Sequence, residues 1–182
     1  MADALQMAPN WQNMRQYAQG ISTECWLMCL RMMYSYKGWD ESAIEGKLSA
    51  AGIQVDSARK TTGLLTRDYM KAAKAVDLHP WGAGQSWSAS DFRKWLTMGP
   101  VWVAGRWNPE GSHNVVVIGA SDTKIRFIDP WNDVMPVAED RTWDADTFIK
   151  GNPANRATAP GTDFYMTRIG AIMNFASFKD VY

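Results

Sequence analysis

The run CWLMCLRMMYSYK at residues 25–37 constrains the fold more than any other segment. It is dense in good helix formers, is apolar on nearly every face, and stops at Gly38, a natural helix terminator. A helix with no broad polar face has to pass through the middle of a domain with partners on most sides. The chain has 182 residues, 46% of them hydrophobic, enough to build that surrounding once. At this length folding buries about 70% of the unfolded surface. A disordered tail or a low-complexity array is excluded by the same composition.

Further helices precede a change of texture. Asp40 opens a second helix, with Ile44, Leu48 and Ala51 on one face and Gly52 as its stop. Thr66 is expected to cap a third, which runs to about Asp77. Ser88 and Asp91 form the start signature of a fourth, ending before Gly99-Pro100. From there VWVAG (101–105), HNVVVIGA (113–120) and KIRFID (124–129) are β-branched and aromatic runs bounded by turn residues. Weaker strands are expected at 134–138 and 164–169, a short helix after Asp144, and a loop over 151–163. Helices first and strands afterwards predict an α+β fold. Residues 1–182 form one domain in this reading, with a helical lobe over about 1–98, a sheet lobe over about 99–182, and a site in the cleft between them.

Charge and cysteine usage narrow the function classes. Nineteen basic residues balance nineteen acidic ones, nine of each in residues 1–91 and ten of each in 92–182. No basic face follows from such numbers, so neither nucleic acid nor an anionic membrane is expected as a partner. No apolar stretch reaches the ~20 residues that span a bilayer, and the first twenty residues lack the pattern of a secretory signal. The two cysteines, Cys25 and Cys29, lie four apart in one helix, where a disulfide would be strained. With two histidines far apart in sequence, no zinc spacing is recognisable, and neither metal nor cofactor is expected.

Cys25 stands at the mouth of the apolar helix, where main-chain N–H groups and the helix dipole favour a thiolate. Cys29, one turn further in, is expected to be a small buried hydrophobe. A nucleophilic cysteine needs a base. His79 precedes Pro80 in what looks like a loop, whereas His113 begins a strong strand. If strands 113–119 and 124–129 pair as a hairpin centred on Ser121, Val117 faces Ile125, Val115 faces Phe127, and His113 faces Asp129. A carboxylate there would orient the ring and stabilise the imidazolium. Gln19, six residues before Cys25, could add a side-chain donor to the N–H of Cys25 for a developing oxyanion.

Gln19-x5-Cys25-Trp26, the apolar helix, Gly99-Pro100, His113 leading VVVIG, and Asp129-Pro130-Trp131 occur in that order. Over roughly residues 15–135 the set resembles the papain-like cysteine peptidases. Their compact bacterial branches resemble it more closely: bacteriocin-processing C39-like peptidases and AvrRpt2-type effector proteases. The resemblance implies a catalytic set of Cys25 as nucleophile, His113 as base, Asp129 as orienting residue (Asn132 as fallback) and Gln19 as oxyanion donor. It also implies a protein or peptide substrate, with a Gly-Gly-type preference for small residues. With only 24 residues before Cys25, the autoinhibitory propeptide of lysosomal relatives is not expected. The expectation is therefore a bacterial toxin or effector, held in check by a cognate immunity protein and delivered to a target cell without a cleaved signal. Glu24, an acid directly before the nucleophile, departs from the pattern and is expected to select a basic substrate residue or to meet an inhibitor. A peptidoglycan amidase, a papain-fold deamidase and a non-catalytic peptide-binding module are the alternatives. Among the ten tryptophans, Trp26, Trp95 and Trp102 are expected in the core, and Trp131 over the His113–Asp129 pair. Trp81, Trp87 and Trp107 are expected in loops.

Overall fold

The computed structural model describes residues 3–81, 87–108, 111–131, 138–150 and 172–178. In it the apolar run forms helix α1 (Cys25–Lys37), over the range its composition predicts. Gly38 ends α1 with φ 67°, the left-handed geometry that favours glycine. Trp26, Leu27, Cys29, Leu30, Met32 and Met33 are completely buried along it. Helices α2 (Ala43–Ala50) and α3 (Val55–Ser57) follow, the latter running into a π turn over Ala58–Thr62. Thr66 does not cap the next helix through its side chain. It begins a 3-10 turn that leads into α4 (Tyr69–Ala75). That helix stops short of Asp77, whose own φ of 62° is incompatible with continuing it. Helix α5 (Ala89–Leu96) starts at the expected capping box: Ser88 Oγ accepts from the N–H of Asp91, whose carboxylate accepts from the N–H of Ser88.

The strands are β1 (Gln6–Met7), β2 (Leu78–Trp81), β3 (Val101–Asn108), β4 (Gly111–Ala120), β5 (Lys124–Asp129), β6 (Glu139–Asp144) and β7 (Ile172–Phe178). Every pairing is antiparallel, in the order β2-β7-β3-β4-β5-β6, with β1 added to β4. The α+β class is as expected, but the lobes are not cleanly divided near residue 98. The first half contributes β1 and β2, and the second half contributes helix α6 (Ala145–Lys150). His79 and Trp81 therefore belong to a strand and not to a loop, and Trp107 belongs to β3. Positions 134–137 of an expected strand, all of 164–169, and the loop 151–163 lie outside the described residues.

Two apolar layers enclose the sheet. Residues of α1, α2 and α4 share one cluster with Trp102, Ala104, Val116, Ile118 and Ile128. Residues of α5 and α6 share the other with Val101, Val103, Val115, Val117 and Phe127. The alternation along β3 and β4 is the two-residue period of a strand buried on both faces. Tyr69 ties α4 to the sheet, its ring stacked 4.0 Å from that of Trp102 and its hydroxyl donating to the Trp102 carbonyl at 2.9 Å.

The β4–β5 register differs from the expected one, and the difference bears on the site. Val117 pairs with Phe127, where Ile125 was expected, and Val116 pairs with Ile128. Continuing that register brings Asp129 opposite Val115. His113 then lies two residues along on the same face, a diagonal neighbour and not a direct pair. Nearer the turn, Gly119 pairs with Arg126 and Ala120 with Ile125, with an irregularity between Val117 and Gly119. An unbroken continuation of the turn-end register would put Asp129 opposite Val116, on the opposite face from His113. The bulge at Ile118 restores the parity that lets the two side chains meet.

Candidate active site

Three stretches meet around the start of α1: the segment before it, the first residues of β4, and the end of β5. Cys25 is the first residue of α1 and is only 5% exposed. His113 is half-buried, and its Nε2 lies 2.6 Å from Oδ1 of Asp129. A carboxylate only accepts, so Nε2 carries the hydrogen and Nδ1 is left for the Cys25 thiol, whose interaction with the ring helps to hold the imidazole charged. Asp129 is buried and is held from several sides. Oδ1 also accepts from the Trp131 N–H at 2.9 Å, and Arg141 of β6 brings Nε to 3.5 Å from Oδ2. Trp131 thus acts on Asp129 through its main chain, while its side chain is among the exposed large apolar ones.

The electrostatics favour an ion pair. Burial opposes a charge on His113, but the bonds to Asp129 and Cys25 outweigh it and raise the imidazole to about 9. Burial likewise pushes the Cys25 thiol up, and the contact with His113 and the donors of Asn114 more than reverse this, lowering it below its ordinary value. Cys29 has no such partners. It is completely buried, and burial together with the neighbouring Cys25 pushes its thiol far above the ordinary range. The two cysteines of one helix are thus a polarised thiol and an inert one, as their positions in the helix suggest.

Glu24 does not face outward to select a substrate. Its carboxylate accepts from Arg59 Nε at 3.2 Å and Nη2 at 3.0 Å, and the side chain is 13% exposed. Arg59 also meets Glu45 of α2, and its carbonyl accepts from the Thr23 hydroxyl. The acid before the nucleophile is a brace that pins the entry to α1 onto the π turn, with its charge neutralised by the guanidinium.

Gln19 is held beside the Asp129 turn, its main-chain N–H donating to the Pro130 carbonyl at 2.9 Å. Its side-chain Nε2 donates to the Ile21 carbonyl at 3.1 Å, and Oε1 is buried without a partner. One hydrogen of Nε2 is committed to Ile21 and the second is available to a ligand. Gln19→Ala is expected to lower kcat by on the order of 10²-fold with KM little changed, as for loss of one oxyanion donor. Steady-state kinetics check this, and an unchanged kcat removes Gln19 from the machinery. Asn132, the fallback orienting residue, lies outside the described residues.

Two residues at this site escape sequence reasoning. Arg141 belongs to β6 (EDRTWD), a strand whose charged residues conceal its alternation. Asn114, also buried, places Nδ2 3.5 Å from the Cys25 sulfur. A lone amide inside the apolar run of β4 was the available signal. Among the described residues no group of three or more His, Cys, Asp or Glu side chains could hold a metal ion.

Residues 8–139 match the family described as papain-like cysteine protease AvrRpt2. No curated protein matches the chain. The matched region spans more than half of the chain and includes all the residues assembled above except Arg141. The chain belongs to the papain-like cysteine proteases of this AvrRpt2 family, and so to the hydrolases.

Proposed function

We propose that the protein is an endopeptidase that cleaves a protein or peptide substrate through Cys25, His113 and Asp129. The observation that carries this reading is the 2.6 Å contact between His113 and the buried Asp129, with Cys25 at the start of α1 and in electrostatic contact with the same imidazole. In this mechanism the Cys25 thiolate attacks the scissile carbonyl carbon. The resulting oxyanion is met by the N–H of Cys25 and the free hydrogen of Gln19 Nε2. The His113 imidazolium gives its proton to the leaving amine as the C–N bond breaks, leaving a thioester. His113 then takes a proton from water, the hydroxide displaces the sulfur, and acid product and thiolate are released. Asp129 keeps the ring in the tautomer and orientation that both transfers need.

Selective alkylation tests the nucleophile. Iodoacetamide at about pH 6 is expected to label Cys25 far faster than Cys29, because only the thiolate reacts. Equal, slow labelling of the two would overturn the assignment. Mapping of new protein termini in cells expressing the wild type against Cys25→Ala then separates a protease from a deamidase, which creates none. The effector reading extends to a cognate inhibitor protein that plugs the site and to delivery into a target cell, and a small-residue preference is read from the same termini. Capture by Cys25→Ala of one stoichiometric protein from the producing cell supports the inhibitor, and its absence there argues against it.

A further inference from the structure

We propose that Asn114 is a further catalytic residue, a neutral donor that holds the Cys25 sulfur beside the imidazole. The proposal rests on the reading of Cys25 as nucleophile. Side chains of successive strand residues point to opposite faces. Asn114 shares the α1-facing side of β4 with Val116 and Ile118, and His113 has the other parity. Both nevertheless reach one sulfur. The sheet is irregular at this point: the β3–β4 register shifts between Gly105 and Asn108, and the β3–β7 register between Ala104 and Gly105. Bulges re-aim side chains, and the residue paired with His113 is Gly105, which presents no side chain of its own. The start of β4 therefore brings both the imidazole and the amide to the thiol.

The chemistry of the amide suits that place. Asn114 is 5% exposed, donates from Nδ2 to Sγ at 3.5 Å, and leaves Oδ1 buried without a partner. Its main-chain N–H, like its side chain, favours the thiolate of Cys25. An amide buried at the cost of an unsatisfied oxygen in an otherwise apolar strand needs a reason. Donation to a sulfur that becomes an anion supplies one, because hydrogen bonds to charged groups are about twice as strong as neutral ones. A neutral donor also stays in place whichever protonation state His113 holds. It supports the thiolate before attack and again when the thioester collapses.

The test is the pH profile of iodoacetamide alkylation at Cys25 in the full-length protein, in wild type, Asn114→Leu and Asn114→Asp. Both replacements are close to the size of the amide. Asn114→Leu is expected to move the acid limb upward by about one pH unit, the size of one bond to a charged group, and to slow alkylation about 10-fold below that limb. Asn114→Asp, which sets a carboxylate against the sulfur, is expected to shift it further. In the unaltered protein the Asn114 side-chain amide proton resonances are expected to titrate together with Cys25, and to lose that titration in Cys25→Ala, a reading that needs no Asn114 variant to fold. Fast labelling of Cys25 with the same profile in all three proteins, or amide resonances indifferent to its titration, overturns the role of Asn114 and leaves the triad standing. A wild-type Cys25 no faster than Cys29 overturns the nucleophile and this proposal with it.

Discussion

Cys25→Ala is expected to lose turnover to background, a fall of about 10⁵-fold or more, while melting within a few degrees of the wild type. The catalytic half of that expectation follows from the absence of a substitute thiol. Cys29 is sealed in the core and its thiol is held far above the ordinary range, so it cannot stand in. The stability half follows from two small opposed changes. Alanine is the better helix former at a helix start, whereas the Asn114 amide loses its sulfur acceptor, at a cost of about 1–3 kcal/mol for an unsatisfied buried donor. The His113–Asp129 contact does not depend on the sulfur and persists. Turnover assays and thermal melts on the same preparation separate the outcomes. A folded Cys25→Ala protein that still cleaves would exclude Cys25 as the nucleophile.

The parts of this fold that were legible in the sequence are those whose local signals agree with their surroundings. Helix α1 is announced by apolar residues on every face and by a terminal glycine, and α5 by a complete capping box. Strands β3, β4 and β5 carry β-branched runs because they are buried on both faces. The illegible parts take their structure from distant partners. LHPW reads as a loop, and becomes β2 because β7, almost a hundred residues later, offers its edge. β6 is an outer strand held by the ladder to β5 and by surface pairs such as Arg126–Asp140 and Lys124–Asp144, so no apolar alternation marks it.

The candidate site divides along the same line. Residue type, order and position relative to predicted elements single out Cys25, His113, Asp129 and Gln19 as candidates. The contact of His113 with Asp129 was expected for a partly mistaken reason. A plain hairpin register predicts the contact, whereas the observed one differs by two residues and depends on a bulge that no residue in the loop announces. A displacement by two preserves the face of every side chain, which is why the pairing survived. Glu24 shows the converse. Its place directly before the nucleophile suggests a role toward substrate or inhibitor, and only the π turn 34 residues later reveals Arg59 as its partner.

His113→Ala is expected to lower kcat/KM by about 10⁴-fold or more, because the imidazole both generates the thiolate and protonates the leaving amine. The pH dependence identifies the cause. With His113 raised to about 9, its proton is held across neutral pH and lost as pH rises through about 9. With Cys25 lowered, its thiolate is lost only as pH falls through that depressed value. Activity therefore has a plateau between the two, bounded by macroscopic steps that belong to the pair. The linkage to stability has the same signs. The imidazolium's contribution is complete below the unfolded value of 6.5 and lost toward about 9, whereas the thiolate's is lost as pH falls through the folded value of Cys25. In His113→Ala the thiol keeps its burial and loses its main cationic partner, so alkylation at about pH 6 is expected to slow by about 10²-fold or more and to show a single limb at high pH. Asp129 keeps the Trp131 N–H and the nearby Arg141, which limits the loss of fold. An alkylation profile identical to the wild type would mean that the thiolate owes nothing to the imidazole, and the ion pair would have to be abandoned.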